Sequence, residues 1–264
     1  MIGENLGIES IFEELGSFFS TVGKAFLPIR DCSRGLIISN NAQNPDHQVD
    51  VKADEIILQD EQFRSFRVTE VDFTLDITKK GVNGLDTGTE AAYTWYYIWI
   101  ISKSKGKNVA GILSTSSSSP TMPSGYTYKA FVGAIHNCRN VGNDFGPMKQ
   151  VGRKAARNSE AVINSGTATT ATPINCSNAL PEKAISAIGI VQINIASGGG
   201  LGRCWIRSAP DQGCVEFSGY YHTQGFISAS FCIPVIESQT IYYNKDSTYS
   251  NAESITVSIS GYEF

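Results

Sequence analysis

The sequence predicts a mainly β protein: an antiparallel β-sandwich or jelly-roll-like body with an N-terminal amphipathic α-helix. Three observations predict it. Short runs of Val, Ile, Phe, Tyr and Thr alternate with clusters of Gly, Asn, Asp and Ser along most of the 264 residues, as in strands joined by turns. Charged residues make up 17% of the chain and Gly occurs 25 times, a composition poor in the charged residues that cover exposed helices and rich in turn formers. Only the first thirty residues show a helical period.

In that first segment Ile8, Ile11, Leu15, Phe18, Val22 and Ala25 recur at steps of three and four, which aligns them along one seam of a helix. Phe12, Phe19 and Phe26 lie one position further round and widen the stripe. Glu4, Glu9, Glu13 and Glu14 suit the positive end of such a helix, and Lys24 suits the other. Pro28 closes it, while Gly16 and Gly23 weaken it internally. A stripe this broad fits a subunit groove or a bundle of symmetry mates. Ile8, Ile11, Phe12, Leu15, Phe18, Phe19, Val22 and Phe26 are therefore the expected assembly interface. The alternative is a helix lying on its own β body.

After Pro28 the strand signals follow one another. Residues 35–39 form a short apolar run, residues 40–46 a turn-rich stretch, and residues 48–58 and 66–77 two extended segments, the second alternating through Val68, Val71, Phe73 and Leu75. Residues 92–101 stand apart. Tyr93, Trp95, Tyr97, Trp99 and Ile101 fall on one face, and Thr94, Tyr96, Ile98 and Ile100 on the other. A strand apolar on both faces predicts cover by two layers or by another subunit. Residues 104–108 turn the chain into a hairpin strand over 109–114, residues 115–119 with Pro120 and Pro123 form a loop, and residues 126–135 form another strand. Residues 164–178 are polar and small, and mark the expected boundary or long connection. Further short strands are expected over 184–196, 204–207, 214–217, 226–236, 240–244 and 255–262, with a tight turn at 198–200. The organisation read from this is a helix over 1–28, a β domain over 29–158, and over 159–264 a second β domain or the continuation of the same sandwich. Trp95, Tyr97, Trp99, Ile98, Phe131 and Trp205 are the expected core.

Charge and cysteine usage exclude several functions. A net charge of −4 and a pI near 5.4 argue against nucleic-acid binding, which needs a surplus of Lys and Arg to neutralise phosphates. The local cluster of Lys149, Arg153, Lys154 and Arg157 reads as a solvated strand edge. The N-terminus has glutamates where a secretion signal needs basic and apolar residues, so no signal peptide is expected. No run reaches the roughly 18 apolar residues of a membrane-spanning helix. The six cysteines contain no C-x-x-C pair. His136 and Cys138 form an H-x-C pair that alternation along a strand explains without a metal, and no metal or cofactor is expected. Cys204 and Cys214 flank a turn, where a disulfide or free buried thiols both fit.

Motifs for catalysis are weak. Asp86-Thr87-Gly88-Thr89 copies the turn of aspartic proteases, but that chemistry needs two aspartates sharing a proton, and no second copy exists here. Asp and Gly are ordinary turn residues. His47, His136 and His222 have no nucleophile signature around them. The run Gly198-Gly199-Gly200-Leu201-Gly202 lacks the Lys-Ser/Thr pair of a phosphate loop. The expectation is a protein that is not an enzyme.

The run Asn83-Gly84-Leu85-Asp86-Thr87-Gly88-Thr89, the following Tyr93-Thr94-Trp95-Tyr96, Ser117-Ser118-Ser119-Pro120 and Pro123-Ser124-Gly125-Tyr126 together resemble a pattern of tailed-bacteriophage virion proteins, often tail-fibre or related appendage proteins. Residues 35–41, residues 239–243 and Gly261-Tyr262 are similar to the same group. The resemblance implies a structural role in the tail or fibre apparatus. It implies a homo-oligomer, expected to be a trimer, whose partners are tail, portal or capsid proteins. It also implies synthesis in the host cytoplasm and a final location in the virion, and it carries over no catalytic residue. The competing expectation is a lectin-like module binding a host surface glycan or receptor through Tyr220, Tyr221, His222 and the Ser-rich loop.

Overall fold

The computed structural model describes residues 33–138, 144–195, 199–223, 225–246 and 252–264. The expected helix over 1–28, with all of its interface residues, lies outside them. The described chain is mainly β, and every ladder between its strands is antiparallel.

The first strands are β1 (Ser33–Arg34), β2 (Ile37–Asn40), β3 (Gln48–Gln59) and β4 (Ser65–Asp76). The pair β3–β4 keeps one register from Gln48↔Asp76 to Gln59↔Ser65. On β3, Val49, Val51 and Ala53 are buried and, after a change of phase at residues 54–55, so are Ile56 and Leu58. Next come β5 (Thr94–Ser102), β6 (Ala110–Ser114) and β7 (Tyr128–Asn137), with β5 hydrogen-bonded between the other two.

Strand β5 organises the molecule. Tyr96, Ile98 and Ile100 pack into one hydrophobic cluster with Val49, Val51, Ile56, Leu58 and Leu75. Trp95, Tyr97, Trp99 and Ile101 pack into another, with Leu180, Val191, Ile193, Ile206 and Tyr262. Both covering layers thus come from the chain itself, one mainly from the residues before β5 and one mainly from the residues after β7. At ~1.5–3 kcal/mol for each large apolar side chain taken out of water, this strand contributes heavily to both cores.

The rest of the large sheet is built by β8 (Met148–Val151), β9 (Lys154–Gly166), β11 (Ser186–Ile195), β14 (Gly225–Pro234) and β16 (Ala252–Glu263). It runs β14-β11-β16-β9-β8-β2-β3-β7-β5-β6, with β1 and β4 also on β3. The step from β3 to β7 is a single pair, Gln59↔Lys129. A smaller sheet runs β10-β15-β12-β13, from β10 (Thr172–Asn175), β12 (Gly200–Ala209), β13 (Gln212–Tyr221) and β15 (Thr240–Lys245). It lies on β11 and β14. A Cβ on Gly202 would come within 2.2 Å of Ile195 Cδ1, and one on Gly219 within 2.8 Å of Ile227 Cδ1, so the two glycines let the sheets approach.

Three sequence expectations are corrected. The cluster Lys149, Arg153, Lys154 and Arg157 does not lie on a strand edge, because β8 and β9 are flanked on both sides by other strands. Residues 164–178 are not one long connection, because β9 continues to Gly166 and β10 occupies Thr172–Asn175. Strand β9 also runs through residue 158 and pairs with β8 on one side and β16 on the other. Finally, Trp205 is absent from both cores and sits half-buried on the outer face of the small sheet, because Cys204 and Ile206 take the inward positions of β12.

Candidate ligand-binding face

The residues that tempt a catalytic reading have structural roles. Asp86 accepts hydrogen bonds from the backbone N–H of Thr87 and of Thr121, both at 2.7 Å, which ties its turn to the Pro-rich loop. The preceding residues run along the free side of β6. Asn83 N–H donates to Gly111 O, Leu113 N–H to Gly84 O and Asp86 N–H to Leu113 O, each at 2.8 Å. Gly111 N–H donates to Asn83 Oδ1 at 3.0 Å. A carboxylate engaged in this way holds a turn.

His136 and Cys138 line a cavity of about 290 Å³ with Trp95, Arg157 and Tyr262. His136 is 5% exposed and lies against the Trp95 indole at 4.7 Å, while the Arg157 guanidinium sits 5.5 Å from the same indole. Burial, and then the Arg157 charge, lower the His136 pKa to about 4. The Tyr93 carbonyl favours the protonated ring, but neither ring nitrogen completes a hydrogen bond with a described residue. Among the described residues no group of three His, Cys, Asp or Glu side chains is placed to hold a metal, and no helix is long and apolar enough to cross a membrane.

The residues expected to bind ligand lie elsewhere. Tyr220 is 65% exposed near the end of β13, and its ring meets that of His222 edge-on at 5.3 Å. Tyr221 pairs with Gly200 through the backbone, and its side chain lies outside the described residues. The Ser-rich loop makes other contacts. Ser116 O accepts from the Trp99 indole and Ser117 Oγ donates to Glu182, so the loop braces the second core.

Tyr220 belongs to a larger face that the sequence reading missed. Alternation along β12 turns Cys204, Ile206 and Ser208 inward and Arg203, Trp205 and Arg207 outward. The register sets Trp205 between Glu216 on β13 and Asn244 on β15, Arg207 between Cys214 and Tyr242, Arg203 beside Ser218, and Leu201 beside Tyr220. Polar contacts fix the side chains. Arg203 Nε lies 3.1 Å from Glu216 and its Nη1 3.5 Å from Asp246. Arg207 Nε donates to Asn244 Oδ1 at 2.8 Å, and its guanidinium stands 5.8 Å from the Trp205 ring centre. Tyr242 donates to Glu237 at 2.8 Å. A half-buried indole framed by guanidinium donors and carboxylate and amide acceptors, with charges of both signs, suits a flat neutral ligand rich in hydroxyl groups. The signal was present in the alternation Arg203-x-Trp205-x-Arg207, which places the tryptophan on a charged face.

No family model matches the chain, and no curated protein matches it. Among solved structures, the crystal structure of an insecticidal delta-endotoxin from Bacillus thuringiensis aligns at 10% identity with a TM-score of 0.17. The alignment covers 93% of this chain and 55% of that one. A likeness at that TM-score carries no argument.

Proposed function

We propose that this chain is a structural protein of a tailed-phage virion, part of the tail or fibre apparatus, that acts by binding and not by catalysis. In this reading residues 1–28 form an amphipathic helix that fastens a jelly-roll-like body to neighbouring tail, portal or capsid proteins, and the chain assembles as a homo-oligomer, a trimer. The observation that carries the reading is the use made of the residues behind the phage resemblance. Asn83, Gly84, Leu85 and Asp86 are spent on covering the edge of β6, a construction role. The aromatic strand gives no support to oligomerisation, since its own chain covers it on both faces. The test is quantitative mass spectrometry of purified particles. The intact chain is expected among the virion proteins, and a chain lacking residues 1–27 is expected to be lost from them. Absence of the intact chain from particles contradicts the reading.

A second reading is favoured by one observation, the Trp205 face. Here the body binds a neutral glycan of the host surface through Trp205, Arg203, Arg207 and Glu216, with Tyr220 at the margin. A glycan array probed with the full chain and with Trp205→Ala tests it. Retention by the first and loss by the second, at unchanged thermal stability, is the expected result. Equal retention by both contradicts it.

A further inference from the structure

Sheet edges invite pairing with other chains, and folded proteins guard them with charge, proline, brevity or cover. Among the described strands, the free edges of β6, β4, β10 and β13 each carry one of these guards. The free side of β6 is covered by residues 83–86. Strand β4 carries Arg67, Glu70 and Asp72, of which Arg67 and Asp72 are paired to Glu55 and Lys52 of β3. Strand β10 is four residues long and includes Pro173. Strand β13 carries Glu216, held by Arg203.

Strand β14 has none of these devices along its length. Its ten residues, Gly-Phe-Ile-Ser-Ala-Ser-Phe-Cys-Ile-Pro, include no charge, and proline occurs only at the last position. It is hydrogen-bonded to β11 in unbroken register from Ser186↔Pro234 to Ile195↔Gly225, and β11 is its one ladder partner among the described strands. The uninterrupted register leaves the strand without a bulge against β11. Phe226 at one end is 56% exposed.

We infer that β14 is the pairing edge for a second copy of this chain, joined antiparallel across a two-fold axis so that the large sheet continues through both molecules. The strand is self-complementary in that arrangement. With the axis at Ser230, the solvent face sets Ser230 against Ser230, Ser228 against Cys232 and Phe226 against Pro234. The inner face sets Ala229 against Phe231 and Ile227 against Ile233, so each core layer is extended by apolar neighbours. A chargeless strand meets its own copy with no like-charge repulsion, the penalty that would oppose self-pairing of β4. This contact is separate from any made by residues 1–28.

Ser230 is exposed, so a charge there is tolerated in the separate molecule but is doubled at the axis. The experiment is the solution mass of the full chain by light scattering, alone, as Ser230→Lys, as Ser230→Glu, and as an equimolar mixture of the two variants. The expected result is a mass for each variant half that of the unsubstituted chain, with the full mass regained on mixing, a recovery that a folding defect does not produce. An unchanged mass for Ser230→Lys overturns the proposal, as does a mixture that stays at half mass. A halving produced by removal of residues 1–27 and not by Ser230→Lys assigns the association to that segment and also overturns it.

Discussion

The indole N–H of Trp95 donates to the backbone carbonyl of Ser177 at 2.7 Å, joining the strand at the centre of the molecule to the turn that follows β10. The same ring meets Tyr262 edge-on at 5.7 Å, and Tyr262 in turn donates its hydroxyl to Ala134 O at 3.1 Å. These contacts bind β5 and β7 to the last strand of the chain. Trp95→Phe keeps an aromatic ring but orphans the Ser177 carbonyl and leaves a gap. It is expected to cost about 2–4 kcal/mol, read as a lowered urea midpoint at unchanged slope.

His136 gives the fold an acid-sensitive element. Its pKa is lowered from 6.5 to about 4, so between those values the unfolded chain takes up a proton that the folded chain refuses. Its contribution is complete above about pH 6.5 and is lost as pH falls toward 4. His136→Phe preserves the stacking on Trp95 and removes the titration. Denaturant unfolding at pH 7.5 and pH 4 is expected to show a smaller acid loss in the variant, by up to about 3 kcal/mol.

Much of the β organisation was legible in the sequence, and the reasons are specific. The doubly apolar pattern of residues 93–101 called for cover by two layers or by another subunit, and Tyr96 and Trp95 enter different cores of the same chain. The sequence could not say which segments supply those layers, because β16 pairs with β9 across a long separation, from Ile255↔Gly166 to Glu263↔Lys154, and pairing at that range leaves no local trace. Trp205 was misplaced because its size outweighed the arginines two residues to either side. The basic residues near 153 read as an edge because charge alone does not reveal that β2 and β16 flank β8 and β9. Of the expected ligand residues, Tyr220 does reach the outer face of the small sheet, but its partners there come from β12 and β15.

Thiol chemistry distinguishes the cysteines. Burial pushes the Cys176 and Cys204 thiols up to about 12, whereas Cys214 and Cys232 are exposed. Cys204 and Cys214 are offset in the β12–β13 ladder, Cys204 facing Phe217 and Cys214 facing Arg207, so they do not bridge. Alkylation of the native protein at pH 8, mapped by peptide mass, is expected to label Cys214 and Cys232 rapidly and to label Cys176 and Cys204 only after denaturation.

The turn before β5 offers a backbone test. A Cβ on Gly84 would lie 2.4 Å from Lys79 O, where neither atom has room to move without displacing the strip that covers β6. Gly84→Ala is expected to destabilise by about 2 kcal/mol or more. Gly88→Ala, whose Cβ meets nothing within 4 Å but whose φ is +78°, is expected to cost about 1 kcal/mol. Thermal midpoints of the two variants check the order.

If β5 belongs equally to both cores, neither core survives the loss of the other. Differential scanning calorimetry of residues 29–264 tests this directly. One transition is expected, with calorimetric and van't Hoff enthalpies equal. Two separated transitions, or a stable folded fragment comprising residues 29–158 alone, would contradict it.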